Sequence, residues 1–245
     1  MPRPAFSSCQ VLYHDDKVLV VNKPAGVPVH GSPMLEGRPP TVLAMARAFT
    51  GQVVHAAHRL DRPVSGALVL AFDRDTLATL SRFFELQEVE KKYLAVARGW
   101  TAEAGLIDHP LRPPRDERRD KDEAREALTR FRRLASVEQP YAFPPYQRAR
   151  YSLVELEPKT GRRHQLRRHM KHISHHLVGD TSYGKGEHNR LFRERLGCER
   201  LLLHSRSISF RHPVNGQEVS VTAPLDDAFE GVAELFRRNS APAAS

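Results

Sequence analysis

The sequence predicts an α+β domain built on a largely antiparallel sheet. Two observations carry that prediction. Strand-like runs outnumber helical ones, and turn residues rather than crossover helices separate most of them. A third is size: 245 residues with 40% hydrophobic content hold enough apolar material for one large domain or two small ones. No internal repeat is visible.

The elements follow in order. VLYHDDKVLVVNKPAGVPVH reads as two short strands about an Asp15-Asp16 turn, with Val18 to Val21 a buried run that Pro24 and Gly26 then turn. Thr41 to Thr50 is an amphipathic helix with Thr41 as its cap. HRLDRPVSG, His58 to Gly66, ends in a Ser65-Gly66 turn feeding GALVLAF, a central strand. DRDTLATLSRFFELQ spaces Leu77, Leu80, Phe83 and Phe84 as a helix does and places acids at its start. KKYLAVARGW returns to strand. Leu111 to Arg125, LRPPRDERRDKDEAR, is almost entirely charged and reads as a solvated loop. EALTRFRRLAS and RYSLVELEPKTG alternate like half-buried strands, and RRHQLRRHMKHISHH reads as a basic helix. RLLLHSRSISF and EVSVTAP form a hairpin through HPVNGQ, where Asn215-Gly216 supplies the turn. Asp226 or Asp227 caps a last helix carrying Phe229, Val232, Leu235 and Phe236; the tail 239–245 is expected to be disordered.

Composition narrows the class. Lys and Arg total 38 against 29 Asp and Glu, a net charge of +9 that suits a polyanionic partner. Two distant cysteines, Cys9 and Cys198, make neither a disulfide framework nor a CxxC zinc pair. The first ten residues lack the apolar core of a signal peptide, and no run of about 18 apolar residues suggests a membrane span. A cytoplasmic protein is the expectation.

Three stretches hold side chains fit for chemistry. Asp61 lies between Arg59 and Arg62; cationic neighbours keep a carboxylate ionised, which suits an ion pair and a reagent equally. EPKTGRRHQLRRHMKHISHHLVGD crowds cations at 162, 163, 167, 168 and 171, so that in helical register Arg163 shares a face with Arg167 and His164 with Arg168. Leu166 and Met170 would then pack inward. Histidines 164, 169, 172, 175 and 176 raise a metal reading, but no HExxH spacing occurs and the surrounding cations oppose a dication. Tyr93 is either a core strand residue or a platform for a nucleobase. No Walker-type or GxGxxG loop argues for nucleotide chemistry, and PVSGALV is not a GxSxG elbow.

Taken together, VVNKPAGVPVH, HRLDRPVSGALVLA, KKYLAVARG, VELEPKTGRRHQLRRHMKHISHHLVGD and RLLLHSRSISFRHP resemble, in order, the RluA-like family of RNA pseudouridine synthases. HRLDRP, ELEPKTGRRHQLRRHM and GDTSYGKGEHNR further resemble the branch that modifies uridine 65 of tRNA. The resemblance implies the pseudouridine synthase catalytic domain over residues 10–238, a mixed and mainly antiparallel sheet with flanking helices and a central active-site cleft. Fewer than about 20 residues precede the first sheet strands, too few for an N-terminal S4 domain.

The same resemblance assigns roles. Asp61 is the essential carboxylate, Arg167 the arginine that pairs with it, and Tyr93 the aromatic that stacks on the target base and takes part in proton transfer at C5. Arg59 occupies the space left by the flipped base; Arg162, His164 and Gln165 complete the motif; Leu177 or Val178 forms the apolar floor under the base. No cofactor or metal is required, and a monomer acting on RNA, most closely tRNA, is the expectation. The alternatives are the same isomerisation on ribosomal RNA, an RNA-binding protein without catalysis, and a histidine-rich metal hydrolase.

Overall fold

The computed structural model describes residues 9–31, 39–114 and 123–240. The chain divides into two compact units, Met1–Lys91 with His204–Leu225, and Lys92–Leu203 with Asp226–Ser245.

The first unit holds β1 (Gln10–His14), β2 (Val18–Lys23), α1 (Val42–Thr50), β3 (His55–Ala56), β4 (Ser65–Ala71) and α2 (Arg74–Glu85), with β9 (Leu203–Arg211) and β10 (Glu218–Thr222). Asp15 makes the first turn, its Oδ1 accepting from the backbone N–H groups of Lys17 and Val18 at 2.8 and 2.7 Å. β2 pairs antiparallel with β1 and with β4, from Val18 opposite Ala71 to Lys23 opposite Gly66. All seven residues of β4 are buried, which is why this strand reads as a continuous apolar run. At Ser65 and Gly66 it runs parallel to β9, the pair that makes the sheet mixed; β9 and β10 close as the expected hairpin, with Gly216 at φ +71°.

The helix signals hold. Thr41 Oγ1 caps α1 by accepting from Ala44 N at 3.1 Å, and Asp73 caps α2 by accepting from Thr76 N at 2.8 Å. Leu80 is buried, and Leu77, Phe83 and Phe84 pack against the core formed with Val20, Val69 and Ile208.

One expectation fails here. Ser65 and Gly66 are not a turn but the first residues of β4. The turn lies earlier, where Val64 N bonds to Asp61 O at 3.0 Å. Gly66 is needed inside the strand because its φ is +108° and a Cβ would lie 2.3 Å from the Ser205 carbonyl oxygen.

The second unit holds β5 (Glu90–Arg98), β6 (Ala104–Asp108), β7 (Leu128–Gln139), β8 (Ala149–Pro158), α3 (Gln165–His172), α4 (Gly186–Leu196) and α5 (Asp227–Ser240). Its strands run antiparallel in the order β5-β8-β7-β6, with a bulge in β7 between Arg133 and Ala135. α5 packs on β7, and Asp226 Oδ1 caps it through Phe229 N at 2.9 Å. The helix continues through Asn239 and Ser240, two residues into the stretch expected to be tail, and 241–245 lie outside the described residues.

The ends of the charged segment pair with each other, Leu111 N to Arg125 O at 2.8 Å and the reverse at 3.1 Å; residues 115–122 lie outside the described residues. α3 is shorter than its basic run suggested. His164 takes the left-handed conformation at φ +56° and Ser174 at φ +64°, so the helix is confined between them. Arg163 therefore precedes the helix and does not share a helical face with Arg167. Leu166 and Met170 are buried as expected.

Candidate active site

The loop around Asp61 is held at both ends by the first unit. His58 Nε2 accepts from Val69 N at 3.1 Å, and its ring stacks on Phe84 with centroids 4.5 Å apart. Burial, reinforced by Lys91, pushes the His58 pKa down to about 3, so the ring is a neutral wedge. Leu60 inserts into the core. On the far side, Arg62 Nε donates to Gly26 O at 2.9 Å while Gly26 N donates to Arg62 O at 2.9 Å.

Lys23 completes the anchorage. Its side chain is fully buried, and Nζ donates to the carbonyls of Pro24, Val27 and Arg62 at 2.8, 2.7 and 3.1 Å. The KPAG turn and the HRLDR loop are thereby one fastened structure, and half-buried Asp61 sits between its fixed points. Arg59 is exposed. Sequence reading missed Lys23. The available signal was a lysine ending the strand that carries the buried run Val18 to Val21; such a lysine must either leave the core or find carbonyl partners there.

In the second unit Arg167 is buried at the first turn of α3, with its fork closed on Asp180: Nε to Oδ2 and Nη2 to Oδ1, each 2.8 Å. Asp180 Oδ1 also accepts from Ser182 N and Tyr183 N at 2.9 Å. Burial alone would raise the Asp180 pKa, but the guanidinium and these backbone donors outweigh it and hold the carboxyl below its ordinary range. The Arg167 guanidinium lies 5.0 Å from the Tyr183 ring centroid, and the Tyr183 hydroxyl meets His164 Nδ1 at 2.9 Å. Asp180 and Tyr183 were not singled out from sequence, although an aspartate followed by backbone donors two and three residues on is the signature of a side-chain-closed turn.

The remaining motif residues separate. Gln165 is buried, and its amide is fully occupied: Oε1 accepts from Thr160 Oγ1 and Arg162 N, and Nε2 donates to Leu128 O and Thr129 Oγ1, at 2.7 to 3.0 Å. The expectation that Gln165 binds substrate is thus replaced by a structural tie, because no hydrogen-bonding valence remains. Arg162 is exposed and donates to Glu126 O at 2.9 Å. Leu177 and Val178 are buried beside β5, where Val178 N donates to Val96 O at 2.9 Å, and Tyr93 is 8% exposed on that strand.

The histidines divide among structural hydrogen bonds. His169 meets Thr129 Oγ1 and His109 O, His175 meets Arg98 O, and His176 meets Tyr183 O. Among the described residues no group of three or more His, Cys, Asp or Glu is placed to hold a metal ion.

An aspartate on a pinned loop suits an enzyme that works through a carboxylate, and the excess of cations suits a polyanionic partner. The chain belongs to the RNA pseudouridylate synthase family, whose model matches residues 17–172, a span that includes Asp61, Tyr93 and Arg167. Its members are isomerases that act on RNA. The chain is 43% identical over 232 residues to the tRNA pseudouridine synthase C of Vibrio cholerae, covering 93% of this chain and 95% of that one. It is 44% identical over 230 residues to the protein of that name from Haemophilus ducreyi, covering 92% and 95%. Among solved structures it resembles human RNA pseudouridylate synthase domain containing 4, with a TM-score of 0.71, 26% identity and 93% of each chain covered.

Proposed function

We propose that this protein converts a uridine of tRNA to pseudouridine, at position 65, with Asp61 as the reacting carboxylate. The observation that carries the reading is similarity of 43–44% over nearly the full length of relatives named for tRNA. The HRLDRP and GDTSYG stretches support the position.

The reaction breaks the N1–C1′ bond of uridine, turns the base and rejoins it through C5. Nothing is oxidised: the C5 proton is released as C5 joins C1′ and N1 takes up a proton, so the atoms balance without a co-reactant. Positive charge builds on the ribose as the bond breaks, and an ionised carboxylate stabilises or captures it. The leaving uracil carries the negative charge itself, so the single carboxylate of Asp61 is enough. Lys23, Arg62 and His58 fix the loop, which suits a group that must hold its geometry while the base turns. Tyr93 is assigned to stack on the base and Arg167 to keep the reacting carboxylate ionised. The target must leave its stack at a few kcal/mol, recovered through stacking and phosphate contacts.

The test is pseudouridine mapping on unmodified tRNA and ribosomal RNA with the purified protein and its Asp61→Asn variant. Loss of the tRNA product in the variant, with RNA affinity retained, is expected. Undiminished product from Asp61→Asn would remove Asp61 from the chemistry, and modification confined to ribosomal RNA would refute the tRNA assignment.

A further inference from the structure

His109 and His172 lie face to face in the second unit, their ring centroids 3.7 Å apart and their planes 12° from parallel. His172 is exposed on α3, one turn after Arg168, and His109 follows the last residue of β6. No other described residue engages the nitrogens of either ring. Beneath them His169 is already committed. Its Nε2 donates to His109 O and its Nδ1 accepts from Thr129, both at 3.0 Å, and burial drops its pKa to about 4. Arg168 Nη1 donates to the Arg112 carbonyl at 2.7 Å, fixing a guanidinium beside the pair, and it meets no carboxylate among the described residues.

Two stacked imidazoles are comfortable when neutral and repel when protonated, unless an anion lies against them. Burial, with His172 and Arg168 beside it, holds the His109 pKa below the usual histidine range. Among the described residues the acids closest in sequence to the rings are Asp108, exposed at the end of β6, Glu103, which faces Arg133, and Asp180, which is held by Arg167; Glu126, further along the chain, is exposed beside Ala127, whose carbonyl accepts from His109 N. Neither ring pairs with an acid among the described residues.

We propose that His109, His172 and Arg168 form a proton-linked site for a phosphodiester group of the RNA, away from the reacting nucleotide. A phosphate placed there brings a negative charge against the pair and raises the affinity of His109 for a proton, so RNA binding takes up a proton from solvent. Affinity must then rise as pH falls from 8 towards 6, because protonation favours only the bound state. The site rests on the RNA substrate reading above but involves none of the residues assigned to the chemistry.

The test is equilibrium binding of labelled unmodified tRNA from pH 6 to 8, in the Asp61→Asn background so that no turnover intervenes. Comparison with His109→Gln/His172→Gln isolates the pair from other titrating groups. The parent should tighten by roughly five- to tenfold more than the double variant across that range, since one linked proton changes affinity by at most about tenfold per pH unit. Arg168→Gln should lower the salt slope by about 1. His172→Gln alone, at an exposed position, guards against a folding defect and should remove most of the pH effect. An unchanged pH slope in the histidine variants, or an unchanged salt slope in Arg168→Gln, overturns the site. If Asp61-intact protein makes no pseudouridine in tRNA while these slopes behave as stated, the substrate reading fails and the phosphate site stands.

Discussion

Replacing Asp180 by alanine tests how the second unit holds its central arginine. The carboxylate makes two 2.8 Å bonds to Arg167 and two 2.9 Å bonds to the backbone N–H groups of Ser182 and Tyr183. The pair is almost sealed from solvent, with side-chain exposures of 5% for Arg167 and 1% for Asp180. Truncation leaves a guanidinium buried with this partner gone, a change that typically costs about 3–5 kcal/mol. Asp180→Asn keeps an acceptor for the backbone donors and loses the charge, so it should cost less, about 2–3 kcal/mol. For a chain of this size 1 kcal/mol shifts Tm by about 2–4 °C, which predicts a drop of about 6–20 °C for the alanine variant. Denaturant titration gives the free energies, and pseudouridine formation, measured well below the lowered Tm, tests the role proposed for Arg167. The carboxyl's lowered pKa adds a pH signature. The pair's stabilisation is complete above the ordinary aspartate pKa and is lost as pH falls through the lower folded value, so the parent–variant gap should narrow in acid. A loss below about 1 kcal/mol, with activity intact, would refute the assignment of Asp180 as the residue that fixes Arg167.

Other expectations follow from the same kind of reasoning. Lys23→Met strips a donor from three carbonyls, each costing about 1–3 kcal/mol where no other donor replaces it; a sharply lower denaturant midpoint is expected, and an unchanged one would show that the ammonium is dispensable. Gly66→Ala should destabilise by about 3 kcal/mol or more, because the methyl would meet the Ser205 backbone and φ +108° is unfavourable for alanine; wild-type stability would contradict that register. The pKa values of His58, His169 and His188, depressed by burial to about 3, 4 and 4, mean that these rings are neutral when folded. Stability should be full above the unfolded histidine pKa of about 6.5 and should fall as pH drops towards 4, as the unfolded chain takes up those protons; a flat profile over that window would exclude buried neutral rings.

Local physics made most of the elements legible. Thr41, Asp73 and Asp226 are caps because their oxygens bond backbone donors three residues on, an interaction contained within a few residues. β4 read as a central strand because burial on both faces leaves no polar alternation. Ser65-Gly66 misled because a Ser-Gly pair carries a turn's composition, whereas this glycine answers to the Ser205 backbone, 139 residues away in sequence, which leaves no mark on its neighbours. His164 stopped the basic run short of a full helix in a similar way. Its left-handed backbone goes with a bond to Tyr183, a partner that no helical periodicity could announce.

Asp61 shows where local reading ends. Flanked by Arg59 and Arg62, it suggests an ion pair with a neighbour, yet Arg62 uses its Nε on the Gly26 carbonyl and Arg59 is exposed. The neighbouring arginine fastens the loop. A buried lysine reinforces the same fastening through the Arg62 carbonyl, which also accepts from Gly26 N. A carboxylate kept only as a counter-ion would gain little from a backbone secured on both sides, because a flexible loop can bring a charge to its partner. A carboxylate that must meet one carbon of a nucleotide gains directly, since a displacement of about 1 Å can cost two orders of magnitude in rate. The expense of burying an ammonium beside the loop is therefore understandable in terms of the reaction. It also explains why the KPAG and HRLDR stretches, 35 residues apart from Lys23 to His58, form one functional unit.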